Sequence, residues 1–186
     1  MITILIIVGV IILLIISAIA IYNNLIRLRT KVENSWSDIR VFLKKRFDLI
    51  PNLVNTVKGY AAHEKSTFEE VTAARTAASN ISPNDVKGLA NANQALTGAL
   101  GRLFAVAENY PDLKASTNFL DLQTALQNIE GDLGNARRYY NATVRDYNIG
   151  IKQFPAVLIS GAMGFSEKEF FDLENPAEAQ NIEVKF

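Results

Sequence analysis

Side chains able to do chemistry crowd together in one stretch, LKKRFDLIPNLVNTVKGYAAHEK, residues 43–65. It holds the chain's single histidine, His63, beside Glu64, with a basic cluster, Lys44-Lys45-Arg46, upstream. His63-Glu64 begins like H-E-x-x-H, in which two histidines one helical turn apart hold zinc and the glutamate acts as general base. The second histidine's position is Thr67. One imidazole could act as a general base or as a single ligand assisted by carboxylates, but a lone histidine reads first as a surface or interface residue. A hydrolase built on His63 and Glu64 would need an activity that His63→Ala abolishes. The chain has no G-x-S-x-G elbow, P-loop or dinucleotide-binding glycine pattern. Glu69-Glu70, the adjacent carboxylates, point apart on a helix. With no cysteine, thiolate ligands, disulfides and cysteine nucleophiles are excluded. The expectation is a protein that is not an enzyme and has no cofactor and no metal site.

The elements around this stretch begin with ITILIIVGVIILLIISAIAIY, an apolar run about as long as a helix needs to cross roughly 30 Å of hydrocarbon. Residues 1–26 carry no charged side chain. Tyr22 falls where an aromatic interface anchor belongs, and Arg27, Arg29 and Lys31 follow at headgroup level. Ala18-Ile19-Ala20 resembles a signal-peptide cleavage site, but the run has no basic residue ahead of it and is long for a signal peptide. A retained anchor is preferred. The positive-inside rule then gives a single-pass protein of the cell (inner) membrane, with its N-terminus outside and its C-terminal domain cytoplasmic.

Beyond the anchor, Val32, Trp36, Ile39, Leu43, Ile50, Leu53 and Val57 recur in steps near three and four, the period of a helix with a narrow apolar seam. No Gly or Pro falls between Tyr22 and Lys45, so the membrane helix is expected to run on into the folded body. Pro51 removes one intrahelical bond and crowds the carbonyl of Phe47. Either the helix kinks there or a new helix covering 52–78 begins. Gly59, with Ala61 and Ala62, offers a surface for close approach of another helix. In SNISPNDV, Ser82 is the expected cap and Pro83 the first helical residue. A second helix follows from Val86 through Asn93 and Leu103 to Tyr110, closed by Pro111. A third runs from Phe119 through Tyr140 and Tyr147 to Phe154, closed by Pro155. Short connections imply antiparallel neighbours.

The fold class is therefore all-α: a transmembrane helix continuing into an antiparallel up-and-down bundle of three to four long helices, with an irregular C-terminal tail. By segment, 1–26 is the anchor, 27–155 the cytoplasmic bundle and 156–186 the tail. Ser166 and Glu169 form a capping-box pattern that predicts a short docked helix at Phe170-Phe171. The final NIEVKF reads as extended.

Two polar groups remain. If the helix is straight, Lys44 lies about 22 residues, or roughly 33 Å, beyond Tyr22, too far to feel the headgroups across a Debye length of about 8 Å. Lys44, Lys45 and Arg46 are therefore expected to serve the bundle or to contact a partner. In RRYYNATVRDYN, Arg138, Tyr140 and Asn141 recur as Arg145, Tyr147 and Asn148, a seven-residue offset that keeps each pair on one helical face. This polar ladder is expected to pack on the Pro51 bend and satisfy its freed carbonyl.

The strings YNNLIRLRTKVENSWSDIRVFLKKRFDLIPNLVNTVKGYAAHEK, AENYPDLKASTNFLDLQ and ARRYYNATVRDYN, with Phe154-Pro155, resemble the LemA family of bacterial membrane proteins. The resemblance implies an N-terminal anchor, a cytoplasmic antiparallel helical bundle and no established enzymatic activity, and it carries no catalytic residue onto this chain. Two functions fit. The first is a membrane-anchored scaffold or adaptor that presents a rigid bundle to protein partners. It could self-assemble as a homo-oligomer, because residues 27–58 hold eight Lys/Arg against three Asp/Glu and 160–186 hold two against six. The second is a sensor or regulatory subunit that signals through a hinge at Pro51. The lipid bilayer is the expected partner of the anchor. A formal net charge of zero gives no argument for nucleic acid.

Overall fold

The computed structural model describes residues 1–171; the expected extended end, NIEVKF, lies outside them. All regular structure among the described residues is helical: α1 (Ile2–Lys58), α2 (Lys65–Ser79), α3 (Val86–Ala107), α4 (Pro111–Lys114), α5 (Thr117–Lys152) and α6 (Val157–Ser160). The residues form two compact units. The first joins residues 1–40 to 134–170; the second comprises 41–133 and, of the described residues, Phe171. These units cut across a linear division into anchor, bundle and tail, because α1 and α5 each contribute to both.

Helix α1 is one helix for two reasons. Its backbone ladder meets no proline before Pro51, since Gly9 keeps its amide, and its character changes along its length without a break. No residue up to Ala20 is buried. From Leu25 onward burial recurs at Val32, Trp36, Ile39, Leu43, Ile50, Leu53 and Val57, the seam expected from the sequence. The apolar part is long enough and apolar enough to cross a membrane.

In the first unit α1 meets α5 antiparallel. Leu28 and Leu25 face Gly150, Ser35 faces Thr143 and Trp36 faces Tyr140. A Cβ on Gly150 would lie 2.8 Å from Leu28 Cδ1, so any side chain there would have to push the end of the Leu28 side chain aside. Helix α5 stops at Lys152, short of the expected Phe154. The residue before a proline is pushed away from helical backbone, and Phe154, placed by periodicity in the seam, is instead 81% exposed.

In the second unit α2 and α3 form a hairpin. Its register is marked by Tyr110 donating to Glu64 Oε1 at 3.2 Å and by the Arg102–Glu70 ion pair. The helix expected over 52–78 is broken at Gly59–Glu64, where Gly59 and Tyr60 donate to carbonyls three residues back and end α1 in a turn. Helix α3 is capped by Asp85, whose carboxylate accepts from Gly88 N at 2.8 Å, and not by Ser82. Ser82 Oγ accepts from Asn84 N within the preceding turn. The predicted docked helix at 166–171 is absent: residues 165–171 carry no helix, and the short helix of this region is α6.

Candidate functional site

The sequence-predicted residues fall into three places. At the end of the apolar run, in the first unit, Tyr22 makes an edge contact with Phe165 at 5.7 Å between ring centroids. Arg27 donates to Asn24 Oδ1 at 2.6 Å, and Arg29 pairs with Glu33 at 2.8 Å, while Lys31 is exposed. The three cations lie five to nine residues beyond Tyr22, the last residue of the apolar run.

The second place is the polar ladder, and its partner differs from the one expected. Tyr140 Oη donates to the carbonyl of Glu169 at 2.8 Å and Tyr147 Oη to that of Ser166 at 3.0 Å. Asn148 grips both backbone groups of Lys168: its Nδ2 donates to the carbonyl and its Oδ1 accepts from the amide, each at 2.9 Å. The segment 166–169 is thus held along α5 by its main chain, and this explains why the capping-box pattern makes no helix. Its carbonyls are already committed to side chains of α5. Arg138 donates to Asn135, Arg145 lies 3.7 Å from Asp146, and both arginines are exposed beside the clasp. Asn141 is half-buried. Burial pushes the Tyr140 hydroxyl up to about 12, with Glu169 adding to the effect. Burial also raises Tyr147, against a smaller opposing pull from Arg29.

The carbonyl freed by Pro51 has its own donor. Arg75 Nε, from α2, donates to Phe47 O at 3.3 Å. Pro51 itself is exposed and lies inside an unbroken α1. Gly59 is no helix-packing surface: it is exposed, and a Cβ there would meet only Thr56 O, in its own turn, at 3.4 Å.

The third place is the basic cluster, which divides. Lys44 pairs with Asp48 at 2.7 Å on the exposed face, and Lys45 sits 5.4 Å over the Phe42 ring. Arg46 is 4% exposed, so of the two expected roles it takes the one inside the bundle and is not a partner contact. Its guanidinium donates to Asn93 Oδ1 at 2.6 Å and Thr97 Oγ1 at 3.0 Å, and pairs with Glu130 at 2.7 Å, tying α1, α3 and α5 inside the second unit. Burial lowers its pKa, partly opposed by Glu130. Nε is buried without a hydrogen-bond partner among the described residues. The signal was present in the sequence. Arg46 sits three residues after Leu43 and four before Ile50, inside the seam, and Asn93 occupies a seam position of α3.

Sequence reasoning also missed Ser35 and Thr143. Their buried hydroxyls approach to 2.9 Å where α1 and α5 face each other, and each reaches the carbonyl three residues before it. His63 lies exposed in the turn before α2, and its neighbour Glu64 accepts the Tyr110 bond. Among the described residues, no three His, Asp or Glu side chains are grouped to hold a metal.

Among the described residues the structure is all helical, and one helix is long and apolar enough to cross a membrane before it continues into packed segments, the build of a helical membrane protein. A family model described as LemA family matches residues 35–186, and the chain belongs to that family. It is 27% identical to magnetosome protein MamQ 2 of Paramagnetospirillum magneticum, over 84% of this chain and 66% of the relative. It is 26% identical to MamQ of Magnetospirillum gryphiswaldense over the same shares. Protein LemA of Metamycoplasma hominis is 30% identical over 71% of this chain and 60% of its own length. The chain therefore spans just under two thirds of the MamQ relatives.

Proposed function

We propose that this protein is a membrane-anchored, non-enzymatic scaffold or adaptor that holds a rigid helical body at the inner face of the cell membrane for protein partners. One observation carries the reading. The exposed apolar residues 2–20 and the buried seam from Leu25 onward belong to a single helix. A flexible linker would decouple a tethered domain from its membrane; a shared helix makes the membrane segment part of the fold. Arg27, Arg29 and Lys31 support the cytoplasmic placement. The MamQ relatives are named as magnetosome proteins. The exposed Lys44 and Lys45 are offered as contacts for an acidic partner or for a second copy.

Pull-down from native membranes through a C-terminal tag, with wild type beside a Lys44→Glu/Lys45→Glu variant, tests this. The expected result is a specific set of co-purifying proteins that the charge reversal depletes. An unchanged or empty set would remove these lysines from the account. Labelling Ser79→Cys with a membrane-impermeant maleimide in intact cells tests the orientation in this cysteine-free chain. Protection until lysis is expected.

The hinge reading is supported by a single feature. The carbonyl left free by Pro51 is held by one side-chain donor, Arg75, which release or rebinding could exploit.

A further inference from the structure

We infer that the segment after α5, residues 153–165, is a second membrane-contacting element: an apolar turn seated in the bilayer interface beside the spanning helix. The inference rests on the reading of α1 as an anchor.

Four observations within the first unit carry it. The first is register. Gly150 packs against Leu25 and Leu28, and Phe165 packs against Tyr22. Because α5 runs toward the apolar end of α1, the turn that follows it emerges level with Tyr22, where hydrocarbon gives way to headgroups. The second is composition. From Gln153 to Ser166 there is no charged residue, whereas Lys152 and Glu167 at its two ends pair at 2.8 Å. The third is exposure. Phe154 is 81% and Leu158 70% exposed, with Val157 and Met163 also open, although Ala156 and Phe165 are buried and fix the turn. Large apolar side chains left exposed within one short segment mark a contact site, and Phe165 seats this segment against Tyr22 at the end of the apolar run of α1.

The fourth is backbone satisfaction. The amides of Val157 to Ser160 and of Met163 to Phe165 all donate to carbonyls within 153–161, Pro155 has no amide to satisfy, and Ser160 Oγ donates to the carbonyl of Ile151. A segment that satisfies most of its own amides can enter the interface, where unpaired donors are costly. The polar ladder then gains a purpose. By gripping 166–169 it holds the far end of the turn against α5, so the apolar side chains are presented at a fixed height.

The cysteine-free full chain allows a direct test. Leu158→Cys and Phe154→Cys, each carrying a polarity-sensitive dye, are reconstituted in phosphatidylcholine/phosphatidylglycerol nanodiscs. Ile12→Cys serves as the mid-span reference and Tyr139→Cys, exposed on α5, as the aqueous one. Dyes at 154 and 158 are expected to be quenched by lipids spin-labelled near the headgroup and shielded from aqueous iodide, with Tyr139→Cys showing the opposite. Iodide access at 158 equal to that at 139, with Ile12→Cys still shielded, overturns the inference and leaves the anchor standing. Iodide access at Ile12→Cys overturns the anchor and this inference together. Shielding at 158 without lipid quenching, accompanied by dye self-quenching, assigns the patch to a second copy and also overturns the lipid contact.

Discussion

At the scale of single residues, two buried polar groups do most to define the body. Tyr140 donates to a backbone carbonyl from a buried site that holds its hydroxyl at about 12, against 10 for a free tyrosine. The unfolded chain therefore loses this proton first. Tyr140 contributes its stabilisation fully below pH 10 and loses it as the pH rises through about 12. Trp36, the only tryptophan, lies 5.3 Å from the Tyr140 ring and reports on it. Quenching of Trp36 emission by tyrosinate should have its midpoint near 12, and Tyr140→Phe should remove that transition. A midpoint at the value for free tyrosine would mean the clasp is open. Arg46 makes a different prediction. Removing its carboxylate partner leaves a buried cation with neutral partners only, so Glu130→Ala should cost about 1–3 kcal/mol in urea melts followed by circular dichroism. Arg46→Met keeps the volume and removes the charge. Its remaining partners lie near enough to the surface to be hydrated, so it should cost less than Glu130→Ala. The reverse order would contradict a role for charge compensation.

Among the elements, α1 is the one most legible in the sequence. Its apolar run and its three-and-four seam are both local patterns, and every seam residue named from Val32 to Val57 is buried. What could not be read there was which donor meets which acceptor. The ladder was visible as a repeat, and its need for partners followed from its place in a seam. The partner, the main chain of 166–169, lies 19 to 29 residues on, in a segment whose own pattern pointed to a helix. Periodicity ranks faces but is blind to contacts made by backbone. The same limit hid Arg75. Pro51 announces a free carbonyl at Phe47, but nothing in the sequence ties Arg75, on another helix, to it. That pairing can be measured as a cycle. Pro51→Ala restores the amide that Phe47 O lacks, so Arg75→Ala should cost about 1 kcal/mol in the native background and markedly less beside Pro51→Ala. Equal costs in both backgrounds would show that Arg75 does not serve this carbonyl. Removing the α3 cap with Asp85→Ala should cost about 1 kcal/mol in the same melts.

For the whole molecule, the account depends on α1 remaining intact as both anchor and structural member. A cleaved leader would free the body from the bilayer, strip the apolar turn of its neighbouring lipid and leave a scaffold with nothing to stand on. Intact-mass measurement of the protein extracted from carbonate-washed membranes decides this most directly. We predict that the chain resists the wash and retains residues 1–26. A polypeptide truncated near Ala20 and recovered in the soluble fraction would contradict the central claim.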